Sequence, residues 1–310
     1  MSEIVLKGID GANPLGFLAA LGTLRTSLYA WPDEPPQMRW CRYGGSWRPV
    51  LHFESSFNEE EIASRLHQTL QTMKDHPAFG FADNLSVPPE TFREEARVAA
   101  LQSKPHDRAY ADFVAAFGTD IIADGQTGNI LDTAFRTMSG AGHQHFLSTI
   151  RRLVEHTNEE QIRKTLFSIW LYDDPIKKHT MRWDPVDDVR YALQWQDPSG
   201  DANRDISGSM WGANRLAVEA LPLFPTSPNH QRLMTTGFTR SKGSNPTWTW
   251  PIWEPKISMD IVRSLLSLEV LQNTHPDRGL LKPMGVVEAF RCQRLTQGKF
   301  RNFTPAEPVV

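Results

Sequence analysis

The sequence predicts an α+β fold of mixed helices and mainly antiparallel short sheets, with no doubly wound parallel sheet. A long apolar run from Pro14 to Leu24 reads as a helix buried on most of its surface. Two strand patterns, Met38–Tyr43 and Trp47–Phe53, flank Gly44-Gly45-Ser46, which is a hairpin signal. Further on, helical and strand patterns follow each other without the alternation that a βαβ architecture needs.

In chain order, Ile4 to Ile9 reads as a strand ended by the turn residues Asp10, Gly11, Asn13 and Pro14. Pro14 suits the first helical turn, where its missing N–H costs nothing. Gly16 and Gly22 each cost a helix about 1 kcal/mol relative to Ala, so a close backbone approach by a neighbouring element is expected at both. Asn58 caps the next helix with Glu61 at the capping-box position, and Ile62, Leu66, Leu70 and Met73 form its apolar stripe before Pro77. Residues 90–170 read as mostly helical, with one helix starting near Gln144 and another capped by Asn158. Beyond Leu171 the texture turns to Trp, Asp, Pro and Gly with short alternating strands, Val189–Trp195 and Val286–Leu295, and a helix capped by Ser258. We expect one large unit over 1–310. The alternative is a helix-rich part, 1–170, and a strand- and loop-rich part, 171–310.

The chain has 310 residues, 40% of them apolar, with ten tryptophans, which is enough for a sizeable core and argues against disorder. A net charge of −3 excludes a generic basic nucleic-acid binder but not a local basic face. Cys41 and Cys292 lie far apart and form neither a CxxC pair nor a disulfide framework, which points to a reducing compartment. The N-terminus lacks signal-peptide features, and no apolar run reaches the roughly 20 residues of a membrane span. A cytoplasmic protein without membrane contact is expected.

Four stretches carry candidate chemistry. Asp173, Asp174, His179 and Asp184, with Asp187 and Asp188 beyond, could hold Mg²⁺ or Mn²⁺ for phosphodiester cleavage. The competing reading is an ordered loop, since Asp174-Pro175 and Asp184-Pro185 have turn-initiating form and Lys177, Lys178, Arg182 and Arg190 offer partners. Gly142 and His143, in a glycine-containing run before a helix, offer backbone N–H groups to a phosphate, or else are an ordinary exposed helix start. Arg291, Arg294, Lys299, Arg301 and Phe303 combine cations with a ring, a mixture suited to a phosphate backbone and splayed bases, against a solvated edge strand. Trp248, Trp250 and Trp253 are either a stacking platform or core and interface anchors. No nucleophile elbow, HExxH, zinc knuckle, HD pair or helicase P-loop is present, so no catalytic residues and no cofactor are assigned.

Several phrases in order resemble one family. They are Gly11-Ala12-Asn13-Pro14-Leu15-Gly16-Phe17-Leu18-Ala19-Ala20-Leu21-Gly22; Ser139-Gly140-Ala141-Gly142-His143-Gln144; Arg182-Trp183-Asp184-Pro185 through Arg190-Tyr191-Ala192-Leu193; Gly212-Ala213-Asn214-Arg215-Leu216-Ala217 to Leu221-Pro222-Leu223-Phe224-Pro225; Trp250-Pro251-Ile252-Trp253; and Gly298-Lys299-Phe300-Arg301-Asn302-Phe303. Together they resemble the CRISPR-associated proteins of type I-G (formerly I-U) loci. Within these the chain is similar to the family found alone or as an extension of the helicase-nuclease, and more distantly to the large subunit. The resemblance implies a non-catalytic subunit of an antiviral interference complex that touches crRNA, target DNA, other effector subunits or the helicase-nuclease. A divalent-metal nuclease built on the Asp173–Asp188 stretch and a protein-binding scaffold are the rival readings.

Overall fold

The fold is built around α1 (Pro14–Ala30), which is buried over nearly its whole length. Asn13 caps it by accepting the N–H of Gly16, and Pro14 occupies its first position. Thr23, Thr26 and Ser27 remain buried because each hydroxyl donates to the carbonyl four residues earlier. A computed structural model describes residues 2–105, 107–138, 145–175, 180–186, 208–230, 232–240, 244–297 and 300–310.

Both α1 glycines have the packing reason expected of them. A Cβ on Gly22 would stand 1.7 Å from the carbonyl oxygen of Leu216, and one on Gly16 would stand 2.3 Å from that of Asp10. Leu216 belongs to the helix Trp211–Ala220, which follows α2 (Glu59–Gln71), α3 (Pro89–Gln102), α4 (Ala109–Phe117), α5 (Phe146–His156) and α6 (Glu159–Phe167) and is α7 here. Asn58 and Asn158 close complete capping boxes on α2 and α6, with Glu61 and Gln161 as their partners. Ser258 precedes α8 (Met259–Leu266), but its side chain makes no capping hydrogen bond.

The small sheets are antiparallel throughout. The first has the order β1 (Ser2–Val5), β3 (Ser46–Phe53), β2 (Gln37–Tyr43). Tyr43 pairs with Ser46 across Gly44 and Gly45, whose φ values of 59° and 84° fit the two-residue turn that matches strand twist. Residues 90–170 are mostly helical, as expected, through α3, α4, α5 and α6, with one departure. β4 (Gly118–Ala123) and β5 (Ile130–Asp132) form a hairpin between α4 and α5. Short pairs follow, β6 (Asp174–Pro175) with β7 (Gly208–Ser209) and β8 (Thr226–Asn229) with β9 (Arg232–Thr235). The last sheet runs β10 (Phe238–Thr239), β11 (Thr247–Trp253), β12 (Val286–Gln297), β13 (Phe300–Phe303), with β14 (Glu307–Pro308) also on β12. The strand predicted over Val286–Leu295 is thus longer and flanked on both sides. The predicted strand Val189–Trp195 lies outside the described residues.

Trp248, Trp250 and Trp253 are fully buried, so they are core anchors and not a stacking platform. The Trp250 indole N–H donates to Gly11, and that of Trp253 donates to Met38, which ties the last sheet to the first. Phe17 of α1 lies between Trp40 and Trp250, its ring centroid 5.8 and 5.6 Å from theirs. Core residues from Leu6 to Phe303 form one contiguous cluster. Cys41 and Cys292 are both free thiols. Among the described residues, no helix is long and apolar enough to cross a membrane.

Candidate functional site

A cleft of about 800 Å³ is lined by five arginines, Arg136, Arg232, Arg240, Arg294 and Arg301, against two aspartates, Asp124 and Asp132. Three local structures bring them together. The β4–β5 hairpin ends at Asp132, and a tight turn, Arg136 N–H to Thr133 C=O, follows it. The amide of Ala134 in that turn donates to the Thr235 hydroxyl, which holds β9 against it. Arg294 and Arg301 lie on β12 and β13. The register sets Arg301 opposite Thr296, two residues from Arg294, so the two arginines share a face as diagonal neighbours.

Four of these guanidiniums have hydrogen-bond partners among the described residues. Arg136 pairs with Asp132 at 2.6 Å and donates to the Met138 carbonyl, and Arg294 donates to Ala134. Arg301 reaches the Arg136 carbonyl at 3.4 Å, and Arg240 donates to Ser244. The buried Nε atoms of Arg136 and Arg294 have no hydrogen-bond partner among the described residues. Asp124 is taken up within its own turn by the N–H groups of Gln126 and Thr127.

The electrostatics reflect crowding of like charge in a recess. Burial, then repulsion from Arg301, pushes Arg294 down to about 10. Burial and Arg136 likewise lower Arg301. Burial raises the Asp132 carboxyl despite Arg136, Arg301 and Arg294 around it. One carboxylate therefore faces three arginines, an arrangement complementary to an anion.

Of the predicted contact residues, Arg294 and Arg301 face this cleft. Arg291 does not. It donates to Thr249 and to the carbonyls of Leu271, Asn273 and Thr274, and so staples the 271–274 loop to β12. Phe303 is 1% exposed, its ring packed near Trp248 and Phe135, so it offers no face to a base. Gly142, His143 and Lys299 lie outside the described residues. Arg136, Arg232, Arg240 and Asp132 were not anticipated, because they are isolated in sequence and only the fold gathers them.

The aspartate-rich stretch is occupied by structural partners. Asp173 pairs with Lys164 at 3.2 Å. Asp174 accepts from Gln161 and from the N–H of Trp211, at the start of α7. Asp184 is buried and accepts from Asn13, the Tyr172 hydroxyl and the N–H of Val186. His179, Asp187 and Asp188 lie outside the described residues. Among the described residues, no group of three or more His, Cys, Asp or Glu is placed to hold a metal.

A smaller cavity of about 300 Å³ is lined by Tyr29, His76 and Glu219 among others. Both Glu219 oxygens are already held, one by Arg25 and one by Arg215. No protein-family model matches the chain, and no curated protein matches it.

Proposed function

We propose that this protein is a non-catalytic nucleic-acid-binding subunit of a CRISPR type I interference complex and that it holds crRNA or target DNA through the arginine cleft. The observation that supports polyanion binding most directly is the set of Arg136, Arg294 and Arg301, which line the cleft partly buried around one carboxylate. Such a group costs desolvation and repulsion in the free protein, and a phosphate relieves both. The placement in an interference complex, beside other effector subunits or the helicase-nuclease, rests on the family resemblance of the ordered sequence phrases. The nuclease reading is weaker, because Asp173, Asp174 and Asp184 already serve Lys164, Gln161, Trp211, Asn13 and Tyr172.

The test is a binding titration with unrelated oligonucleotide sequences at several salt concentrations, on wild type and on Arg240→Ala/Arg301→Ala. Affinity is expected to fall with salt and to depend little on sequence. The variant should flatten the log–log salt slope by about 0.7–0.9 for each phosphate it no longer neutralises. Absence of binding, alone and with the effector subunits of the same operon, overturns the reading. An unchanged slope in the variant removes the cleft from it.

A further inference from the structure

The cavity of about 300 Å³ shares no lining residue with the arginine cleft. Four helices supply its walls: Tyr29 comes from α1, Leu70 from α2, Ala109 from α4 and Glu219 from α7. Met73 and His76 line it from the turn that follows α2.

Two side chains in this lining have a donor to spare. Tyr29 is 39% exposed, and its hydroxyl oxygen accepts from Arg25 Nη2 at 3.2 Å. No acceptor for the hydroxyl proton is present among the described residues. His76 Nδ1 accepts the N–H of Ala78 at 3.3 Å, which puts the ring proton on Nε2. That nitrogen has no protein partner among the described residues, yet it is not sealed from solvent. Phe79, Tyr110 and Phe113 pack around the imidazole with ring centroids within 6.0 Å and fix its orientation. Burial holds His76 below its usual range, so it stays a neutral donor.

The spare acceptor is Asp107, which is exposed and hydrogen-bonded only through its backbone among the described residues. Its charge and that of Glu219 both reach His76 and Tyr29. Two carboxylates disfavour an anion, and two outward donors disfavour a bare cation. A neutral amide group answers both, because its carbonyl accepts from the donors and its N–H donates to the carboxylate. Leu70, Met73 and Ala109 add apolar surface for a ring, and the cavity volume is that of a small-molecule site.

We propose that this cavity binds a free small molecule carrying a ring lactam, with its carbonyl on His76 and Tyr29 and its N–H on Asp107. The site stands independently of the nucleic-acid reading. Glu219 makes no contact with the ligand, since Arg25 and Arg215 hold both its oxygens. It acts by fixing Arg25 against the Tyr29 hydroxyl, which leaves that proton for the ligand.

The probe is isocarbostyril, a benzene-fused lactam, titrated against the full chain by ligand-observed NMR with folding verified by circular dichroism. A Kd of about 0.1–1 mM is expected for a ligand of about eleven non-hydrogen atoms. The labelled methyl resonance of Met73, assigned with Met73→Leu, should shift on binding. N-methylation of the probe should weaken binding about tenfold, since it removes a hydrogen bond to a charged group. In Asp107→Ala, an exposed change that leaves the fold intact, the lactam should bind as weakly as its N-methyl form. Persistence of the N-methyl penalty in that variant would mean a steric effect and overturns the Asp107 contact. Tyr29→Phe should weaken both probes about fivefold, because both keep the carbonyl. Equal affinity of the wild type for the two probes overturns the amide assignment. Absence of binding, or a Met73 resonance that does not move, overturns the site and leaves the arginine cleft untouched. Displacement of the probe by the oligonucleotides of the cleft titration would join the cavity to that surface and overturn a free ligand.

Discussion

Gly22→Ala tests the packing of α1 against α7. The added Cβ would stand 1.7 Å from the Leu216 carbonyl oxygen, 2.6 Å from its carbon and 3.3 Å from the Ala220 nitrogen. All three are backbone atoms of a regular helix, so no side-chain rotation relieves the clash. The two helices must separate by more than about an ångström, which opens an interface where Leu18, Leu21 and Ala217 are fully buried. Overpacking of this kind costs about 1–3 kcal/mol or more, and the better helix propensity of Ala returns only about 1 kcal/mol. A net loss of about 2 kcal/mol or more is expected in urea denaturation, read as a lower midpoint at constant slope. Gly125→Ala is the matched control. It lies where an added Cβ meets nothing within 4 Å, so its stability should stay within about 0.5 kcal/mol of wild type. Equal stability of both variants would refute the packing account of the glycine.

Asp184→Ala should cost about 1–3 kcal/mol, since Asn13 and Tyr172 lose a part-buried acceptor. Wild-type protein incubated with Mg²⁺ or Mn²⁺ should leave nucleic acid intact, and cleavage abolished by Asp184→Ala without unfolding would restore the nuclease reading. His52, whose Nε2 accepts from Arg39, is lowered to about 4 by burial. Between that value and the ordinary 6.5 the unfolded chain binds the proton and the folded one does not. Stability should therefore fall as pH drops from 6.5 toward 4, by at most about 3 kcal/mol. Denaturation midpoints over that range should be flatter for His52→Gln, and an identical pH profile would remove His52 as the cause.

The signals that were legible are those whose physics is local. Asn58 and Asn158 cap because their side chains reach amides three residues away, and Gly44-Gly45 turns because both positions need positive φ. The β4–β5 hairpin was also legible but was missed: Ile121-Ile122 followed by Asp124-Gly125 is a strand and turn pattern that the surrounding helical texture obscured. Phe303 and Arg291 were misplaced for a different reason. Alternation along a strand tells which side chains share a face, but not what covers that face. Here Trp248 and Phe135 cover Phe303, and the 271–274 carbonyls cover Arg291. The cleft itself was beyond sequence reasoning, since Asp132 and Arg301 meet only through the pairing of β12 with β13 and the docking of the 133–136 turn.

Two buried charge clusters in the same molecule show why the cleft, and not charge burial in general, supports the functional reading. Arg25, Glu219 and Arg215 sit between α1 and α7 as two cations on one carboxylate, each oxygen of which accepts one guanidinium. Burial opposes ionisation of Glu219, but Arg215 and Arg25 prevail and hold its carboxyl below the usual range. Arg25 has an unpartnered Nε, yet its guanidinium lies over the rings of Tyr29 and Phe113, and Arg215 also donates to the Leu70 carbonyl. That cluster is closed by the protein's own groups, and such a triad fixes how two helices meet. Asp132 does the opposite work. Three arginines face it, its own carboxyl is raised rather than lowered, and those arginines line a cleft of about 800 Å³. A cluster that the fold leaves short of negative charge, on a face where a ligand has room, is the feature on which the proposed binding of a polyanion rests.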